Sequence, residues 1–171
     1  ERLSFKLLDL LVLKKRDFTF QETNISQLID EIALAIEPKL KSCGVYMTTQ
    51  TEPGICSVEP DLLKSLLINL IDNAVKSMES GGRIRLRQNM TKEGCRILVR
   101  DSGRGIPQAD LKKITEAFYR VDKSRSRRQG GAGLGLALCS EIVELHGGTM
   151  EFFSELGKGT AVVIELKGGA V

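Results

Sequence analysis

The alternation of hydrophobic and polar residues predicts a chain of helices and short strands without internal repeats. Apolar residues recur every three or four positions in some stretches and every second position in others. The predicted helices cover 1–15, 25–40 with Asn24 as N-cap, 61–78 and 134–145. The predicted strands cover 18–20, 45–49, a short segment after a turn at Pro53 and Gly54, 83–88, 96–100, 149–154 and 160–166. This order predicts a two-layer α/β sandwich of the α+β class.

Composition narrows the range of functions. The 171 residues, 42% hydrophobic and 27% charged, suit one globular domain with a sizeable core. A net charge of +3 is too small to indicate nucleic acid, so we expect no nucleic-acid partner. The four cysteines show neither a CxxC pair nor metal-ligand spacing, which indicates reduced and mostly buried thiols. No apolar run approaches the ~20 residues of a membrane-spanning helix.

The helix predicted at 61–78 carries polar residues beside its apolar face. At about 100° per residue, Asn69, Asn73 and Lys76 fall within a stripe roughly 60° wide. Amide oxygens can ligate Mg²⁺, and an ammonium can bind the phosphates that accompany it. The alternative is that both asparagines only satisfy nearby backbone groups.

A second cluster follows the strand predicted at 96–100. Asp101 lies at the strand end, and Gly103 and Gly105 allow a tight turn and close approach of a ligand. A carboxylate there can accept a hydrogen bond from an exocyclic amine such as that of adenine. The alternative is an aspartate that only caps the turn.

A third cluster lies before the helix predicted at 134–145. Gly131, Gly133 and Gly135 could direct backbone N–H groups at a polyphosphate. The pattern fits neither the dinucleotide-binding glycine motif nor the P-loop. Upstream, residues 120–128 hold five cations and one acid, so we expect 119–132 to form a lid, although a solvated charged loop is the alternative.

In this order the clusters resemble the motifs of the catalytic, ATP-binding domain of sensor histidine kinases, in the Bergerat-fold (GHKL) ATPase superfamily. The N box resembles residues 69–74, the G1 box 101–105, the F box 117–123 and the G2 box 131–136. A closing motif is similar to His146-Gly147-Gly148 through Gly157 to Thr160. The resemblance covers about residues 17–167 and implies a mixed, mostly antiparallel sheet covered on one face by about three helices.

The resemblance also implies a role for each matched residue. Catalysis would involve Asn69, Asn73, Lys76, Arg120 and Arg125, and Mg²⁺ would be bound by Asn69 and Asn73. The ATP or ADP site would comprise Asn73, Lys76, Asp101, Gly103, Gly105, Ile106, Gly131, Gly133, Leu134, Gly135 and Thr160. Many relatives place an aromatic residue after the lysine, whereas this chain has Ser77, so Tyr46 and Phe118 are candidates for the missing stacking contact.

Two other classes compete with a kinase. Hydrolytic members of the superfamily place a water-activating glutamate where this chain has Asn69, an amide that cannot take a proton, and this favours phosphoryl transfer. A non-catalytic nucleotide-binding module is the other class, because no acceptor histidine is evident. His146 ends a helix, and we interpret it as structural.

The chain begins without methionine inside a helical pattern, so we expect it to be part of a longer protein. Residues 1–15 would be the end of the second helix of a dimerisation and phosphoacceptor domain, and 16–171 the catalytic domain. The expected partners are those dimerisation helices and the receiver domain of a response regulator. We expect a homodimeric parent anchored in the cell membrane, with this domain in the cytoplasm.

Overall fold

A computed structural model describes residues 18–79, 81–121 and 133–168. Within them the helices are α1 (Ile25–Ser42), α2 (Pro60–Ser77) and α3 (Gly135–Leu145). The strands are β1 (Gln21–Asn24), β2 (Val45–Thr51), β3 (Ile55–Val58), β4 (Gly82–Met90), β5 (Gly94–Asp101), β6 (Thr149–Glu155) and β7 (Gly159–Lys167). The predicted elements that fall within the described residues are confirmed within two or three residues, except that the first strand starts at Gln21. Phe18 to Phe20, predicted as a strand, form no regular structure.

Helix α1 begins where its capping residue predicts. The Asn24 side chain accepts a hydrogen bond from the Gln27 N–H at 3.2 Å, which satisfies one of the N–H groups that a helix start leaves open. Helix α2 is capped by Glu59, whose carboxylate accepts from the Leu62 N–H at 2.6 Å. Pro60 follows at the first helical position, where its missing N–H costs nothing.

The main sheet has five strands in the order β2-β4-β5-β7-β6. Strands β2 and β4 are parallel, and the other neighbours are antiparallel. The pair β1 and β3 forms a separate small antiparallel sheet. The expectation of a mixed, mostly antiparallel sheet is therefore confirmed.

The core lies between the helices and one face of the main sheet. Alternate residues of β4 and β5, such as Ile84, Leu86 and Ile97, are buried, whereas intervening residues of the same strands, such as Arg85 and Arg100, are exposed. Apolar residues of the three described helices belong to the same cluster, so the helices cover a single face of the sheet. None of these helices is long and apolar enough to cross a membrane.

His146 ties the end of α3 to the start of α2. The residue is 3% exposed, its Nδ1 lies 2.7 Å from the Ile142 carbonyl oxygen, and its Nε2 accepts from the Glu59 N–H at 3.1 Å. The Phe20 ring packs edge-on against it, with centroids 5.1 Å apart. Burial lowers the pKa of His146, although the Ile142 hydrogen bond and the Glu59 charge oppose that shift. These contacts agree with the structural role that the sequence indicates.

Candidate nucleotide-binding site

Asp101 ends β5 at the point where several segments converge. The carboxylate is buried, and its Oδ1 accepts hydrogen bonds from the Gly103 N–H at 2.7 Å, the Ser77 hydroxyl at 3.2 Å and the Thr160 N–H at 3.3 Å. In the described part of the chain, Oδ2 receives no such bond. One oxygen is therefore held by the protein, while the other remains available to a ligand donor.

Burial raises the pKa of the Asp101 carboxyl above its ordinary value. Hydrogen bonds from Gly103, Ser77 and Thr160 favour the charged form and oppose that shift. Because a buried carboxylate is costly without a partner, the fold maintains a strong acceptor that a ligand amine could satisfy.

The glycines of this cluster allow backbone segments to touch. Gly105 has φ +74°, and a Cβ there would lie 2.1 Å from the Glu155 carbonyl oxygen. The Ile106 N–H donates to the Ser154 hydroxyl oxygen at 2.8 Å, and that oxygen lies 2.8 Å from Thr160 Oγ1. The turn after β5 is therefore fixed against the ends of β6 and β7, and Thr160 lies beside Asp101.

Asn69 and Asn73 occupy different environments on α2. Asn69 is 8% exposed, and its Nδ2 donates to the Ser65 carbonyl at 2.8 Å. The Nδ2 of Asn73 is buried, and no hydrogen-bond partner for it exists within the described residues. A buried amide donor without a partner is unusual and indicates a ligand position.

Arg120 presents a second buried nitrogen without a partner among the described residues, its Nη2. Arg120 precedes the part of the predicted lid that lies outside the described residues, and it packs near Gly133. A Cβ on Gly133 would lie 2.8 Å from the Tyr119 carbonyl oxygen and 3.1 Å from Arg120 Cγ. The Phe118 N–H donates to the Gly133 carbonyl at 3.0 Å, so the F-box segment rests directly on the glycine loop.

Helix α3 begins beside this contact. Leu134 is fully buried at the N-cap and makes no side-chain capping bond, and Gly135 is the first helical residue. An uncapped helix start leaves N–H groups that can bind an anion.

Some predictions lie outside the described residues. These are the helix expected at 1–15 and residues 122–132 of the expected lid, which include the predicted site residues Arg125 and Gly131.

The structure corrects one expectation and adds two residues. Tyr46 pairs with exposed Arg83 on the outer face of the sheet, whereas Asp101 pairs with buried Ile84, so Tyr46 cannot stack on a ligand of Asp101. The contacts of Ser77 with Asp101 and of Ser154 with Ile106 and Thr160 were not expected from the sequence. Ser77 could have been found, because four residues after Asn73 it falls on the same helix stripe.

The described part of the chain shows no separate metal centre of acidic, imidazole or thiol groups. Within the described ranges, no group of three or more His, Cys, Asp or Glu side chains could hold a metal ion. A cation here would depend on amide oxygens and on oxygens that the ligand brings. The donor set fits Mg²⁺ carried by a nucleotide better than a resident metal.

Comparison with known proteins agrees with this geometry. Residues 58–169 match the family described as "Histidine kinase-, DNA gyrase B-, and HSP90-like ATPase". This chain belongs to that ATPase family. The match includes every described residue of the candidate site, from Asn69 to Thr160.

The relatives within this family include sensor kinases. The chain is 34% identical over 143 residues to the sensor protein SrrB of Staphylococcus aureus, covering 83% of this chain and 24% of that protein. It is 35% identical over 173 residues to the sensor protein kinase WalK of Staphylococcus saprophyticus, covering 97% of this chain and 28% of that protein. The chain thus spans about a quarter of the length of these curated relatives.

Solved structures of ATPase-family members share the fold. The nucleotide-free catalytic domain of the histidine kinase ThkA aligns with a TM-score of 0.76 at 27% identity, covering 87% of this chain and 97% of that one. Full-length ShkA in complex with AMPPNP aligns with a TM-score of 0.82 at 25% identity, covering 99% of this chain and 36% of that one.

Proposed function

We propose that this chain binds Mg-ATP and acts as the catalytic domain of a sensor histidine kinase. The observation that supports this proposal most directly concerns the Asp101 carboxylate, which is buried and which the described residues hydrogen-bond through Oδ1 alone. The exocyclic amine of adenine would donate to Oδ2. Gly103, Gly105, Ile106 and Thr160 would line the base, directly or through water. The AMPPNP in the ShkA complex supports a nucleotide in this family's site.

The phosphates would lie at the other end of the cluster. The buried nitrogens of Asn73 and Arg120 are donors that phosphate oxygens could satisfy. Lys76 would add charge, and Gly133, Leu134 and Gly135 would supply N–H groups at the start of α3. We assign Arg125 and Gly131 to the same role from their motifs.

Asn73, with Asn69, would hold Mg²⁺ through amide oxygens. The cation would supply charge neutralisation at the phosphates. The chain's own contribution is to orient the nucleotide between Asp101 and the start of α3, and to bring cationic donors to the γ-phosphate. Positioning and electrostatic stabilisation account for most catalysis of phosphoryl transfer.

The acceptor would be a histidine on a dimerisation domain of the parent protein. His146 is unsuited, because both ring nitrogens are engaged within the fold. The phosphoryl group would then pass to an aspartate of a response regulator. The solved complex of ThkA with the response regulator protein TrrA, at a TM-score of 0.78 and 25% identity, supports such a partner. We propose a homodimeric, membrane-anchored sensor as the parent, with this domain in the cytoplasm.

The test is transfer of labelled phosphate in trans. The chain is mixed with the dimerisation domain of its parent and ATP labelled at the γ-phosphate. We expect acid-labile, alkali-stable label on the added domain, and about tenfold less of it at subsaturating ATP when Asp101→Asn replaces the wild-type chain. No label on the dimerisation domain while ATP is bound would refute the kinase assignment. Label on His146 would instead refute the structural role of that residue.

A further inference from the structure

Ser77 joins the end of α2 to the turn after β5 through both its side chain and its backbone. Its hydroxyl lies 3.2 Å from Asp101 Oδ1 and 2.8 Å from the Ala74 carbonyl oxygen. Its own carbonyl accepts from the Arg104 N–H at 3.1 Å. The helix that carries Asn73 is therefore tied directly to the carboxylate of the proposed base site.

The hydroxyl of Ser77 differs in kind from the other donors to Asp101. Gly103 and Thr160 donate to Asp101 Oδ1 through backbone N–H groups, whereas Ser77 donates to it through a side-chain hydroxyl. The hydroxyl has one proton and two acceptors within reach. The ionised carboxylate is the stronger acceptor, so the bond to Asp101 is favoured when Asp101 is charged.

Packing restricts where the Ser77 side chain can lie. A Cβ built on Gly103 would lie 1.8 Å from Ser77 Oγ, 2.7 Å from Ser77 Cβ and 2.8 Å from Asp101 Oδ1. Gly103 therefore leaves the space that the hydroxyl occupies. The serine side chain, the glycine and the carboxylate form one close-packed unit.

We propose that Ser77 is a positioning residue that orients the Asp101 carboxylate for recognition of the adenine amine. The hydroxyl holds Oδ1, which turns Oδ2 towards the ligand. The inference rests on the proposed nucleotide site, and it gives the residue after Lys76 a role through Asp101 rather than through stacking. Specificity for an amino purine over a 6-oxo purine would depend on this bond.

The bond has a measurable consequence for pH dependence. Burial raises the pKa of Asp101, whereas Gly103, Ser77 and Thr160 lower it, and no charged side chain is among the causes. Removing the Ser77 hydroxyl removes one group that favours the charged form. Protonated Asp101 accepts the amine poorly, so binding should fail at a higher pH in the variant.

The experiment compares Ser77→Ala with Ser42→Ala by calorimetric titration. Ser42 is a matched control, because its hydroxyl donates to the Lys39 carbonyl at 2.8 Å near the end of α1 and contacts no carboxylate in the described structure. The ligands are ADP and inosine diphosphate, which carries an oxygen instead of the exocyclic amine. Titrations are repeated from neutral to mildly acidic pH, with Asp101→Asn measured in parallel.

We expect Ser77→Ala to lower ADP affinity about three- to tenfold, as loss of one hydrogen bond does. Inosine diphosphate affinity should stay unchanged, and the acid-side loss of ADP binding should move to higher pH. Ser42→Ala should match the wild type. Suppose that Asp101→Asn still lowers the affinity for ADP. The role of Ser77 would then be overturned if Ser77→Ala left unchanged both the ratio of ADP to inosine diphosphate affinity and the pH at which ADP binding is lost. Unchanged ADP affinity in Asp101→Asn would instead remove the base contact of the proposed function.

Discussion

At the residue scale, Asp101 combines a stability cost with a proposed ligand contact. Its pKa is raised above the ordinary 3.8, chiefly by burial. A group whose folded pKa is raised stabilises the fold while protonated, and that contribution is lost as pH rises through the folded pKa. At neutral pH the charged Asp101 therefore opposes folding, which a purely structural residue has no reason to do.

Asp101→Asn should separate these two effects. The amide can still accept from Gly103 and Thr160 without carrying a buried charge, so we expect a higher melting temperature of the nucleotide-free protein at neutral pH. Affinity for ADP should fall about tenfold or more, because an acceptor charge is lost from the amine contact. Thermal melts and calorimetry measure the two effects. A lower melting temperature with unchanged ADP affinity would contradict both expectations.

Asn73 differs from its neighbour Asn69 in having a buried amide nitrogen without a partner among the described residues. Asn73→Ala removes no hydrogen bond of that nitrogen, so the nucleotide-free fold should keep its melting temperature or gain slightly. The difference in ADP affinity with and without Mg²⁺ should shrink. Asn89→Ala on β4 is the control, because Asn89 is exposed and pairs with exposed Arg96 rather than with a residue of the proposed site. A large loss of stability without nucleotide would show that Asn73 serves the fold.

At the element scale, the junction between α2 and α3 depends on neutral His146. Its folded pKa lies below the ordinary 6.5, mainly because of burial. The unfolded chain therefore binds the proton first, and stability that is complete above 6.5 is lost as pH falls below that value. Protonation would also remove the Nε2 acceptor that holds the Glu59 N–H.

We expect the free energy of unfolding to fall on mild acidification in the wild type and to change less in His146→Gln. The sequence contains one histidine, so the comparison isolates this titration. Denaturant unfolding at a series of pH values measures it. Equal pH dependence in the two proteins would show that His146 titrates similarly in the folded and unfolded states. The variant itself should be less stable at neutral pH, since it loses two buried contacts.

At the scale of the whole molecule, the proposed site offers donors for phosphate, whereas its described N-box positions Asn69 and Asn73 are amides that cannot act as a base for water. Asn69 occupies the motif position of the hydrolytic glutamate, and its amide donates to the Ser65 carbonyl. We expect the isolated chain to hydrolyse ATP far below the ~10 s⁻¹ typical of enzymes. A coupled phosphate-release assay checks this, with ADP-induced thermal stabilisation as the control for an intact site. Turnover of several per second would favour a hydrolytic function.

The described helices and strands show how much of the fold the pattern of hydrophobic and polar residues predicts by itself. Helices α1 to α3 and strands β2 and β4 to β7 followed from periodicity, caps and glycines, because these signals are local. The prediction of a strand at 18–20 was wrong. The two phenylalanines suggested a strand there, but pairing with β3 begins only at Gln21. Edge positions of this kind depend on a partner strand distant in sequence.

The motifs by themselves determined the family, the candidate residues and the structural role of His146, since each depends on residue type at short spacing. Only the tertiary structure decided how these residues meet. It showed that the described residues hydrogen-bond Oδ1 of Asp101 and leave Oδ2 available to a ligand. It placed Tyr46 on the face of the sheet opposite Asp101. It also placed Ser77, where many relatives have an aromatic residue, in contact with Asp101. These facts depend on β4, β5 and β7 pairing beside the end of α2. Contacts between segments so far apart in sequence leave no local pattern.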